Sequence, residues 1–108
     1  MQYAVLYLQN RFKENVRLSE VAGSVNYSAN YFVNKFKAFT GVTFKEYLSN
    51  LRFAHAEKLL KYTNLSVTEI CYQSGFSDFS NFMSYFKARY GVTPKEFRKS
   101  LKNRQHKL

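Results

Sequence analysis

Apolar residues recur along this chain at the three-and-four spacing of an α-helix, and no stretch alternates as a half-buried strand would. The first periodic run, over roughly residues 2–14, places Val5, Leu8 and Phe12 on one face. A second, Leu18 to Ser24, buries Leu18, Val21, Ala22 and Val25. The third opens at Ser28 and ends at Gly41, with Phe32, Phe36 and Phe39 inward and Asn30, Asn34 and Lys37 outward. The fourth, Phe44 to Lys61, carries Phe44, Tyr47, Leu48, Leu51, Ala54 and Leu59 along one stripe. A fifth short run begins after Ser66 and holds Cys71 on its apolar face. The sixth begins at Ser77 and ends at Gly91, with Phe82, Phe86 and Tyr90 inward and Ser80, Ser84 and Lys87 outward. The seventh runs from Pro94 to Leu101, and the basic tail Lys102–Leu108 is expected to fray. The fold class is all-α, with seven helices.

The pattern is written twice. Leu18-Ser-Glu-Val-Ala, Tyr27-Ser28, Phe32, Phe36-Lys37-Ala38 and Gly41-Val-Thr43 return as Val67-Thr-Glu-Ile-Cys, Phe76-Ser77, Phe82, Phe86-Lys87-Ala88 and Gly91-Val-Thr93. The offset is 49 up to Ser28/Ser77 and 50 from Phe32/Phe82, so the second copy holds one extra residue. Asn26 and Gly75 stand where a tight inter-helix turn needs the left-handed conformation. Ser28 and Ser77 are the expected N-caps, and Gly41 and Gly91 the left-handed C′ residues. Thr43–Glu46, Ser66–Glu69 and Thr93–Glu96 have the capping-box spacing, whereas Arg17 leaves the second helix poorly capped. The expected division is a helix-turn-helix subdomain over 1–42, a linker helix over 43–62, and a second helix-turn-helix subdomain with its tail over 63–108. Two copies are too few for a solenoid scaffold.

Composition narrows the partner. In 108 residues the net charge is +10 with 17 Lys and Arg against 7 Asp and Glu, which calls for a polyanion, nucleic acid before a membrane surface. No apolar run approaches the ~18 residues of a spanning helix. The start of the chain has neither a signal-peptide pattern nor a recognisable cap, which hints at excision from a longer protein. One cysteine, Cys71, makes no internal disulfide and no cysteine-based zinc site, so a cytoplasmic setting is expected. His55 lacks metal-ligating neighbours and reads as structural. No nucleophile–base pair, phosphate loop or paired carboxylates appear; no enzyme, metal or cofactor is expected.

A helix-turn-helix lays its second helix in the major groove while the first braces it. The outward faces of the third and sixth helices carry hydrogen-bonding side chains, and Asn can bond adenine bidentately while Ser serves several bases. The base-facing candidates are Asn30, Val33 and Asn34, then Phe79, Ser80, Met83 and Ser84. Val33 and Met83 suit thymine methyls, and Phe79 lies beside the extra residue. The phosphate candidates are Lys35, Lys37, Lys45, Lys87, Arg89, Lys95 and Arg98, with the helix starts at Ser28 and Ser77. Two other classes stay open: non-specific nucleic-acid binding, and a protein-interaction module whose charge only aids solubility.

At this level the chain resembles the DNA-binding domain of AraC/XylS-type bacterial transcription regulators. The resemblance is carried by Ile70-Cys-Tyr-Gln-Ser-Gly75-Phe-Ser-Asp-Phe-Ser-Asn-Phe82, Gly91-Val-Thr-Pro94-Lys-Glu-Phe97-Arg98, Tyr27-Ser28, Thr40-Gly41-Val-Thr and Leu51-Arg52…Leu59-Leu60. It implies two helix-turn-helix units joined by the fourth helix, with helices three and six in successive major grooves. An asymmetric double-stranded site of about 20 bp follows, since the units are tandem and about one DNA turn apart. It further implies an activator role, RNA polymerase as a partner, a monomeric isolated domain, and a parent protein dimeric through a domain missing here. Many relatives carry arginine where this chain has Asn34 and Ser84, so guanine reading gives way to A·T-directed recognition.

Overall fold

The computed structural model describes residues 1–106, with side chains described as far as Leu101. Among them are seven α-helices and no strand: α1 Gln2–Arg11, α2 Leu18–Ser24, α3 Ala29–Thr40, α4 Phe44–Tyr62, α5 Val67–Gln73, α6 Phe79–Tyr90 and α7 Pro94–His106. α1 ends three residues earlier than the periodicity predicts. α7 runs past Leu101 to His106. The fraying expected of Lys107 and Leu108 lies outside the described residues.

Local chemistry sets the ends of these helices. Asn26 (φ 60°) and Gly75 (φ 98°) take the left-handed conformation in the two inter-helix turns. Each turn closes the same way, Tyr27 N–H to Ala22 O at 2.9 Å and Phe76 N–H to Cys71 O at 3.1 Å. Gly41 (φ 84°) and Gly91 (φ 80°) end α3 and α6 and return their N–H to Lys37 O and Lys87 O. Ser28 Oγ accepts from Tyr31 N–H at 3.3 Å, as an N-cap should. The second copy departs from its expected cap. Asp78, not Ser77, caps α6, its Oδ1 accepting from Asn81 N–H at 2.9 Å. The extra residue moves the cap one place along, and a carboxylate there also complements the positive end of the helix dipole.

The chain divides into two compact units, Met1–Arg52 and Phe53–Leu108. The division falls inside α4, not on either side of it, because each half of that helix walls a different core. The first unit buries Ala4, Leu8, Val21, Ala22, Phe32, Phe36 and Leu48. There Phe36 meets Phe32, Phe44 and Tyr47 at ring separations of 5.5, 5.8 and 5.4 Å. The second unit buries Phe53, Ala56, Leu60, Ile70, Cys71, Phe82 and Phe86. Phe53 lies 4.8 Å from Phe76 and 6.2 Å from Phe82 between ring centres. Each such pair adds about 0.5–1.5 kcal/mol to the area it buries.

The single stripe expected along α4 is therefore wrong in its second half. Ala54 is exposed, while Phe53, Ala56 and Leu60 are buried. Leu48 and Phe53 are five residues apart, about 140° around a helix of ~3.6 residues per turn, so the buried face changes midway. His55 does take a structural part. Its Nδ1 lies 3.1 Å from the hydroxyl of Ser74, a fully buried polar residue at the end of α5.

Candidate nucleic-acid interface

On α3, Asn30, Asn34 and Lys37 stand exposed opposite the buried Phe32 and Phe36. On α6, Ser80, Ser84 and Lys87 stand exposed opposite Phe82 and Phe86. Each unit thus holds a helix whose apolar side is locked into its own core and whose polar side is free of it. The remaining base-facing candidates divide. Val33 is exposed at the edge of its face. Phe79 and Met83 are half-buried and pack against the second core, which leaves each only an edge to present.

Phe39, expected inward, is 55% exposed. It lies on the last turn of α3, beyond the reach of the core, and its counterpart in the second copy is Arg89. Two aromatics outside the expected set, Tyr31 and Tyr85, are 48% and 59% exposed on α3 and α6. For Tyr31 the signal is present in the sequence: it sits three residues before Asn34, and helical residues three apart share a face.

The phosphate candidates are not equivalent. Lys35, Lys37, Lys45, Lys87 and Lys95 are exposed, and the Lys35 ammonium lies 5.4 Å from the Tyr31 ring centre. The Arg89 guanidinium lies 5.1 Å from the ring of Phe53 and 5.9 Å from that of Tyr90, so its planar group covers the rim of the second core. Arg98 leaves the set. It donates through Nε to Leu60 O at 3.3 Å, through Nη1 to Leu65 O at 2.7 Å and through Nη2 to Thr63 O at 3.2 Å. These carbonyls belong to the end of α4 and the loop into α5, so Arg98 is a clasp on the scaffold. Ser28 and Ser77 are both exposed at the helix starts, although only Ser28 caps.

The first unit has a clasp that the sequence reading missed. Arg52 donates to Phe12 O at 2.8 Å and Glu14 O at 3.0 Å, tying α4 to the loop that follows α1. Burial lowers its pKa from the ordinary guanidinium value. No local spacing marks either arginine, since their acceptors lie 33 to 40 residues away.

Elsewhere the titrating groups serve the fold. The Thr93 hydroxyl and then its N–H, both donating to Glu96, hold that carboxyl below its usual range, with Lys87 adding to the effect. This completes a reciprocal capping box at the start of α7. Burial, with Asp78 nearby, pushes the Cys71 thiol up to about 11. Among the described residues no group of three or more His, Cys, Asp and Glu could hold a metal ion. No described helix is long and apolar enough to cross a membrane.

Residues 21–100 match the family described as a helix-turn-helix domain. The C-terminal domain of the two-component response regulator yesN from Fusobacterium nucleatum is 31% identical and superposes with a TM-score of 0.85 over 90% of this chain and 95% of that one. The C-terminal domain of the response regulator AraT from Geobacillus stearothermophilus is 30% identical, with a TM-score of 0.86 over 92% of this chain and 83% of that one. An AraC-type regulator from Chromobacterium violaceum shares the fold with a TM-score of 0.82 over 93% of this chain and 89% of that one, at 27% identity. The chain belongs to the AraC-type helix-turn-helix family. The DNA-binding domain of AdpA, solved with a target DNA, has the same fold at 22% identity, with a TM-score of 0.90 over 95% of this chain and 93% of that one. Among curated relatives, PocR of Salmonella typhimurium is 31% identical over 106 residues. An uncharacterised HTH-type regulator of Pseudoalteromonas carrageenovora is 35% identical over 100 residues. The chain spans 35% and 59% of the lengths of those two proteins.

Proposed function

We propose that this chain binds double-stranded DNA sequence-specifically, as the output module of a bacterial transcription regulator, by laying α3 and α6 each in a major groove. The observation that carries this reading is the repeated division of one helix in each unit. A buried phenylalanine pair faces inward and an amide- or hydroxyl-bearing face looks out, on a chain of net charge +10. Asn30, Asn34, Ser80 and Ser84 read base edges, Val33 reads from the margin, and Phe79 and Met83 contribute at most a hydrocarbon edge. Lys35, Lys37, Lys45, Lys87 and Lys95, with the amides that begin α3 and α6, hold phosphates. With two tandem units the site is asymmetric, about 20 bp long, and A·T-directed. The parent protein works in the cytoplasm as an activator with RNA polymerase as its partner. The isolated module is a monomer, and any dimerisation lies in another domain.

Selection of duplexes from a random pool tests this, followed by titration of the best duplex against salt. One sequence class should be enriched, and log K should fall with log salt at a slope of about −0.9 per neutralised phosphate, for roughly six to ten phosphates. Asn34→Ala should cost about 1–3 kcal/mol and relax preference at one base pair. A nearly flat salt dependence, or no enrichment, rejects the proposal.

A further inference from the structure

We infer that Tyr31 is a specificity-determining residue of the first unit and reads the 5-methyl group of a thymine. The inference rests on the major-groove placement of α3 proposed above. Tyr31 is the third residue of α3, in the first turn, the part of a recognition helix that reaches base edges. It lies about 60° around the helix from Asn34, whereas Val33 lies about 100° away, so Tyr31 is nearer the centre of the outward face.

Its ring is braced by two neighbouring side chains. Tyr27 meets it edge-on at 4.8 Å and 81°, and the Lys35 ammonium stands 5.4 Å from its centre. The Tyr31 N–H is held by the Ser28 cap at 3.3 Å. A large ring that is 48% exposed and already braced loses little rotamer freedom on docking. In the major groove its apolar edge matches the methyl group that distinguishes thymine. The second copy places exposed Asn81 at the same position, so the two units differ here in the chemistry they present.

The test uses the full chain and the best selected duplex, with each thymine replaced singly by deoxyuridine, which removes only the methyl. At one position bound by the first unit, the wild-type protein should lose roughly three- to fivefold in affinity, the effect of one methyl withdrawn from water. Tyr31→Ala should abolish that sensitivity and leave the other positions unchanged, while Tyr31→Phe should retain it. The inference is overturned if Tyr31→Ala keeps the full pattern of deoxyuridine sensitivity. It is equally overturned if Tyr31→Phe weakens every duplex alike, which would make the hydroxyl a phosphate ligand. Should Tyr31→Ala fail to fold, Tyr31→Asn substitutes the residue type of the second copy; it should lose the methyl sensitivity, and retention of it again overturns the inference. Absence of any enriched duplex would instead reject the DNA-binding reading itself.

Discussion

Replacing Arg98 separates a clasp from a phosphate ligand. In the folded chain its guanidinium donates to three carbonyls at 3.3, 2.7 and 3.2 Å. A hydrogen bond from a charged group contributes about 1.5–3 kcal/mol, but Arg98 is only half-buried, so water replaces part of what is lost. Counting the short bond in full and the two longer ones at a fraction, Arg98→Ala should cost about 2–4 kcal/mol. That is a large share of the ~5–15 kcal/mol that holds a small domain folded. Urea unfolding followed by circular dichroism reads the loss. Arg98→Lys should recover less than half of it, because one ammonium cannot reach three diverging carbonyls. Under conditions where the variant is folded, the salt slope of DNA binding should equal that of the wild type. The reasoning is refuted if stability is unchanged while the slope becomes shallower by about 0.9, the loss of one phosphate contact.

Two further outcomes follow from local geometry. Gly91→Ala should destabilise by about 1–2 kcal/mol although nothing stands within 4 Å of the new methyl, because φ is +80°. Gly23→Ala, in equally open space inside α2 and at ordinary φ, should stabilise by up to about 1 kcal/mol; thermal melts of the two variants must move in opposite directions. Cys71 should resist alkylation at about pH 8 until urea unfolds the chain, since burial favours the thiol over the reactive thiolate. Its folded pKa is raised, so the stability linked to it is complete below 9.0 and lost as pH rises towards about 11. Rapid labelling of the folded protein, or a melting temperature that rises over that interval, would contradict the assignment.

What could be read from the sequence is what neighbours in sequence decide. The turns at Asn26 and Gly75, the glycine stops at 41 and 91, and the box at Thr93–Glu96 need only residues one to five apart, and all take the expected form. The phenylalanine pairs on α3 and α6 were equally legible, because their period repeats in both copies. Phe39 and Ala54 misled for a non-local reason. Each lies at helical spacing from core residues, but burial depends on what stands opposite, and nothing covers them. The arginine clasps were hidden in the same way, with acceptors more than thirty residues distant. Asp78 shows a finer limit, since two adjacent residues could each cap α6 and one inserted position decided between them.

One helix serving two cores has a practical consequence for dissection. A cut at either end of α4 strips a wall from one unit, because Leu48 closes the first and Phe53, Ala56 and Leu60 close the second. A fragment of either kind must therefore carry the half of α4 that closes its own core, through Arg52 for the first unit and from Phe53 for the second. Within the intact chain, a core that forms at one end hands its neighbour a helix whose costly nucleation is already complete. The two halves of this duplication are thus joined as lender and borrower, and unfolding of one should loosen the other.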